Sequence, residues 1–66
     1  MQITINGEPR EFQQSMTVHK LVEQLELDRR KIAIERNMTI VPSSKYRDVD
    51  VEEGDAIEIV EFIGGG

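Results

Sequence analysis

Ile57-Glu58-Ile59-Val60-Glu61-Phe62-Ile63-Gly64-Gly65-Gly66 is an alternating apolar strand that runs into three glycines at the end of a 66-residue chain. With a period of two, Ile57 and Ile59 face a core, and Glu58, Val60 and Phe62 face the other way. An apolar pair therefore points outward beside the glycines, with Glu58 and Glu61 as its rim, and such a patch marks a protein docking site. Glycine has no side chain, so whatever Gly64, Gly65 and Gly66 do is done by backbone and by the terminal carboxylate of Gly66. Ordering three such residues costs about 1–2 kcal/mol each. A partner surface elsewhere on the domain has to offset that.

Working back from this strand, Gly54-Asp55 forms the turn into it, and Asp48-Val49-Asp50-Val51-Glu52-Glu53 alternates before the turn, its acids forming a solvated face. At the other end of the chain Met1, Ile3 and Ile5 alternate with Gln2, Thr4 and Asn6, and Asn6-Gly7 is a strong hairpin signal. The second strand runs from about Glu8 to Gln13 and places Phe12 beside Met1 or Ile3, in the core. Pro9 has no N–H to give a ladder, which puts this strand at a sheet edge.

Thr17 reads as an N-cap, and Val18, Leu21, Val22 and Leu25 follow at the spacing of one helical face. Asp28-Arg29-Arg30-Lys31 is the exit loop, with its basic run solvated. Ile32 and Ile34 form the inward side of a third strand, Asn37-Met38 a turn, and Thr39-Ile40-Val41 a short strand ended by Pro42. Ser43 to Arg47 reads as a short helical turn, with Tyr46 plugging the edge of the core.

Composition narrows the chemistry. The chain has no cysteine, hence no disulfide, thiol nucleophile or thiolate metal cluster of its own. His19 is the single histidine, on the solvated helix face and without a nucleophile nearby in sequence. No metal-ligand spacing, phosphate loop or catalytic triad is present, so neither catalytic nor metal-binding residues are assigned. Thirteen acidic against eight basic residues give a net charge of −5, which disfavours nucleic acid and favours a basic protein surface as partner. No apolar run approaches the roughly 20 residues of a membrane span. The N-terminus lacks a signal region, and a cytoplasmic protein, monomeric by itself, is expected.

The order of elements is strand, hairpin, strand, helix, strand, short strand, turn, strand. Adjacent parallel strands need a crossover and hairpins give antiparallel pairs. The simplest sheet is therefore mixed, with four to five strands, its first and last strands central and parallel, and one main helix packed across it. That is the α+β, ubiquitin-like β-grasp arrangement, expected over residues 1–63, with 64–66 as a flexible tail held out from the central strand. Fold by itself leaves function open.

Across nearly its whole length the chain resembles the ThiS sulfur carriers of thiamine biosynthesis. The likeness is carried by Thr17-Val18, Ile34-Glu35-Arg36-Asn37, Ile40-Val41-Pro42, Glu53-Gly54-Asp55 and the closing Ile57 to Gly66 stretch, in that order. The resemblance implies a protein cosubstrate rather than an enzyme. A ThiF-type adenylyltransferase, using ATP and Mg²⁺ that this chain does not itself bind, would convert the Gly66 carboxylate to an acyl-adenylate. Sulfur from a donor system such as a cysteine desulfurase would then give a thiocarboxylate, which a thiazole synthase (ThiG-like) would consume. Gly64 and Gly65 would be the thin stalk entering the partner's site, while docking by Glu58, Val60, Glu61 and Phe62 is inferred from strand parity alone. The alternatives are the small subunit of molybdopterin synthase, a ubiquitin-like modifier joined to lysines, and a plain β-grasp interaction domain with an inert terminus.

Overall fold

The computed structural model describes residues 1–62, so Ile63 and the three glycines lie outside the described residues. The boundary expected at residue 63 and the tail expected at 64–66 lie there too.

Strand β1 (Gln2–Ile5) and strand β2 (Glu8–Glu11) form the predicted hairpin. Asn6 and Gly7 both adopt positive φ, 52° and 82°, the requirement of a two-residue turn whose twist matches its strands. Ile3 faces Arg10 and Thr4 faces Pro9 across the ladder. Met1 and Phe12 extend the pairing, the Phe12 N–H donating to the Met1 carbonyl at 2.9 Å and the Met1 ammonium to the Phe12 carbonyl at 2.7 Å. Phe12 is partly buried against the core, at its margin rather than within it.

Strand β3 (Met16–Thr17) leads into helix α1 (Val18–Gln24). The Thr17 hydroxyl accepts from the Lys20 N–H at 3.1 Å, satisfying one of the orphan donors of the first turn. Val18, Leu21 and Val22 are buried, the helical face read from their spacing. A 3-10 turn, Arg29–Lys31, follows in the expected exit loop. Strand β4 (Ile32–Arg36), the Asn37-Met38 turn and strand β5 (Thr39–Val41) come next, then a second 3-10 turn at Ser43–Lys45, strand β6 (Asp50–Val51) and strand β7 (Ala56–Glu61).

The five-stranded sheet has the order β2-β1-β7-β4-β5, with β1 and β7 parallel at its centre, and β3 pairs with β6 in a separate two-stranded ribbon. The Pro9 strand is at the edge, as its missing donor requires. One departure from the sequence reading concerns Tyr46, which is 1% exposed and among the largest fully buried side chains, not a plug at the core's edge. The 3-10 turn before it directs its ring inward, and its carbonyl accepts from the His19 N–H at 2.9 Å, tying it to α1. A second concerns the Asp48 to Glu53 run, where alternation is local and only two residues pair as strand.

Candidate functional site

β7 is the element that leads to the glycines, and its sides divide as parity requires. Ile57 is 1% exposed and Ile59 packs against the core, while Glu58, Val60 and Phe62 lie open on the face away from the helix. Val60 and Phe62 are each 58% exposed, so Phe62 does not fold into the core. The ladder with β4 sets Val60 against Ala33 and Glu58 against Glu35, and the next ladder sets Glu35 against Ile40, itself 69% exposed. The apolar patch thus crosses three strands, with Met38 standing clear at the adjoining turn.

The structure brings Glu58, Val60 and Phe62 together and separates Glu61 from them. Glu61 pairs with Ile32 and falls on the helix side of the sheet, where it lines a shallow hollow with Ile5, Leu25, Leu27 and Ile59. The carboxylate that actually accompanies Glu58 is Glu35. Two like charges directly opposite across a ladder are unfavourable by a few tenths of a kcal/mol or more, and among the described residues neither forms an ion pair. Ala33, Glu35 and Ile40 were missing from the sequence-derived site. The signal was present for Ile40, since Val41 turned inward obliges its neighbour to turn outward.

The remaining chemistry-bearing side chains are engaged structurally. Asp55 is buried and accepts from Arg36 Nε at 2.6 Å, Asn37 Nδ2 at 3.0 Å and the Glu52 N–H at 2.8 Å. Burial pushes its pKa up, but these donors outweigh burial and hold the carboxyl below its ordinary value. Asn37 also accepts from the Ala56 N–H at 2.9 Å, so the β4–β5 turn is stapled to the start of β7. Asp28 caps the first 3-10 turn, and its bonds to the Arg30 side chain and N–H lower its pKa to about 2. Burial raises the pKa of the Tyr46 hydroxyl against the pull of Arg29, which leaves no phenolate at neutral pH. His19 Nε2 lies 3.5 Å from Glu23 one helical turn on. Among the described residues no three His, Cys, Asp or Glu side chains group to hold a metal, and no helix is long and apolar enough to cross a membrane.

The ThiS family model matches residues 3–66. The chain belongs to the ThiS family. The sulfur carrier protein ThiS of Escherichia coli K12 is 35% identical over 66 residues, the whole of both chains. A thiazole synthase of Paramagnetospirillum magneticum is 56% identical over 66 residues, all of this chain but 20% of that protein. The chain therefore spans about a fifth of the length of that relative. The crystal structure of the thiamine biosynthesis protein ThiS of Geobacter metallireducens superposes with a TM-score of 0.86 at 29% identity, covering both chains fully. The mixed five-stranded sheet with one helix is the β-grasp fold of these ThiS proteins. Within the segments that carry the resemblance, Arg36, Asn37 and Asp55 are the residues that form the staple.

Proposed function

We propose that this chain is a sulfur carrier of thiamine biosynthesis, a protein cosubstrate whose Gly66 carboxylate carries the chemistry. The observation that carries the reading is a family match that runs through the glycines to residue 66. A terminal carboxylate with a pKa near 3.5 is ionised at neutral pH and a poor electrophile. Its oxygen would attack the α-phosphorus of ATP in a ThiF-type adenylyltransferase, releasing pyrophosphate. A hydrosulfide equivalent from a desulfurase would then attack the acyl carbon, releasing AMP and leaving a thiocarboxylate. ATP and Mg²⁺ would belong to the partner, since the sequence carries neither a phosphate loop nor metal-ligand spacing to hold them.

Docking would use the outer sheet face. Val60, Phe62, Ile40 and Ala33 offer the apolar part, and the facing Glu35 and Glu58 would receive a basic group of the partner, which relieves their mutual repulsion. The thiazole synthase relatives support such an enzyme as the acceptor, and a cytoplasmic site of action would supply both nucleotide and donor. The test is the intact mass after incubation with the host's ThiF-type enzyme, ATP and a sulfide source. A gain equal to one sulfur replacing one oxygen at Gly66 is expected. An unchanged mass, with the enzyme active on another carrier, overturns the reading.

A further inference from the structure

β1 accompanies β7 only at Thr4↔Ala56 and Ile5↔Ile57, whereas β4 accompanies it to Glu61. From Glu58 onward β7 has lost its neighbour on the β1 side, because the chain turns away there at Asn6-Gly7. One residue continues the missing ladder. The Asn6 N–H donates to the Ile57 carbonyl at 2.9 Å. Its side chain then reaches one step further, Oδ1 accepting from the Ile59 N–H at 2.7 Å and Nδ2 donating to the Ile59 carbonyl at 3.1 Å. A side-chain amide thus stands in for the peptide group that another residue of β1 would have supplied.

The turn alone does not require this. Asp-Gly or Gly-Gly would close the same hairpin, but Asp could only accept, and Gly could do neither. We propose that Asn6 is a positioning residue for the carrier tail: its amide clips Ile59 and sets the direction in which β7 delivers residues 60–66 to the activating enzyme. The inference rests on the carrier reading. On the opposite flank the Phe62 N–H donates to the Lys31 carbonyl at 2.7 Å, so β7 approaches its end held from both sides. Without the clip that end is held from one side only, by β4 and the Lys31 carbonyl, and fewer molecules present the tail in the competent direction. A smaller competent fraction raises the apparent dissociation constant in proportion and leaves the seated complex unchanged.

Two variants of the full chain test this. Asn6→Gly keeps the positive-φ turn and removes the clip, while Asn6→Asp keeps the acceptor for the Ile59 N–H and loses the donor. Amide exchange followed residue by residue should accelerate about tenfold or more at Ile59 in Asn6→Gly, relative to Ile34 and Ile57. Steady-state adenylation by the ThiF-type enzyme should show KM for the carrier raised about three- to tenfold at unchanged kcat. Asn6→Asp should fall between Asn6→Gly and the parent in both readouts. Unchanged exchange at Ile59, or unchanged KM in a folded variant, overturns the proposal, as does a KM rise that merely tracks a lowered melting temperature in both variants. If Asn6→Gly fails to fold, Asn6→Asp decides by the same two readouts. If the parent chain is not adenylated at all, the carrier reading fails and tail delivery fails with it, while exchange at Ile59 still reports whether the clip holds.

Discussion

Replacing Asp55 with alanine tests whether the motif at the head of β7 is structural. The substitution removes a 6% exposed carboxylate and leaves Arg36, the Asn37 amide and the Glu52 N–H without their acceptor. Breaking a buried ion pair from one side costs about 3–5 kcal/mol. Here the Arg36 side chain is 28% exposed and keeps Glu52 at 3.5 Å, so water and a second carboxylate recover part of the loss. About 2–4 kcal/mol remains. A domain of this size has roughly 3–10 kcal/mol in all, so the variant should melt on the order of 10–25 °C lower.

Thermal and urea unfolding followed by circular dichroism would measure this, with Asp55→Asn as a control that still accepts from the Glu52 N–H and should lose less. At about 3.3 Å per residue, Asp55 lies roughly 20 Å from Phe62, which leads to a second expectation. Below its melting temperature, Asp55→Ala should be adenylated like the parent chain. A loss of stability under about 1 kcal/mol would refute the staple. Full stability with abolished adenylation would instead make Asp55 a partner contact.

The same carboxylate predicts acid sensitivity. Its folded pKa lies below the unfolded value, so the unfolded chain takes up the proton first; the stabilisation is complete above about pH 4 and fades as pH falls through the folded value. Asp28, lowered to about 2, has the same sign. Melting temperature measured against pH should therefore drop below about pH 4, and Asp55→Asn should flatten that drop; an equal drop in the variant would assign it to other groups. Phe62→Ser should leave the melting temperature within about 4 °C of the parent, while calorimetry shows at least about fivefold weaker binding to the adenylyltransferase. A large thermal loss would contradict the exposed ring. Gly65→Ala should keep the fold, read from its spectrum, and block sulfur transfer in the mass assay; retained transfer would show that the stalk tolerates a side chain.

The sheet was legible because its turns carry their own chemistry. Asn6-Gly7 and Asn37-Met38 supply positive φ, Pro9 marks an edge, and Thr17 caps the helix; each is a local cause acting on neighbouring residues. Tyr46 was misplaced because one aromatic among turn formers has no period to show which way it faces; the 3-10 turn decides that. The pairing of β3 with β6 joins residues far apart in the chain through two-residue strands, too short for alternation to register. Glu61 was included with Glu58, Val60 and Phe62 in an assignment from strand parity, but its odd position and its pairing with Ile32 put it on the helix side. Glu35 and Ile40 needed the register of two ladders, which no single segment contains. Asn6 was read correctly as a turn residue, but its side chain's second use depends on β7 outrunning β1, a fact of topology and length.

On the proposed carrier reading, these particulars explain how a 66-residue domain can hold firmly a strand whose end would be given away. The charged and buried interactions gather at the start of β7, where Asp55, Arg36 and Asn37 lock the turn. At Ile57 ladders hold both flanks, β1 parallel and β4 antiparallel, and from Glu58 to Glu61 the β4 ladder continues without β1. On the β1 side the last restraint is the Asn6 amide at Ile59, and on the other side the β4 ladder ends at Glu61, leaving Phe62 one backbone bond to Lys31. A strong ionic anchor near the last residues would have to be broken whenever a partner drew the tail in, and its cost would be charged to binding. Anchoring the far end avoids that conflict. It also leaves the outer face of the same strand free to stay apolar, since the fold does not need Val60 or Phe62 for its core.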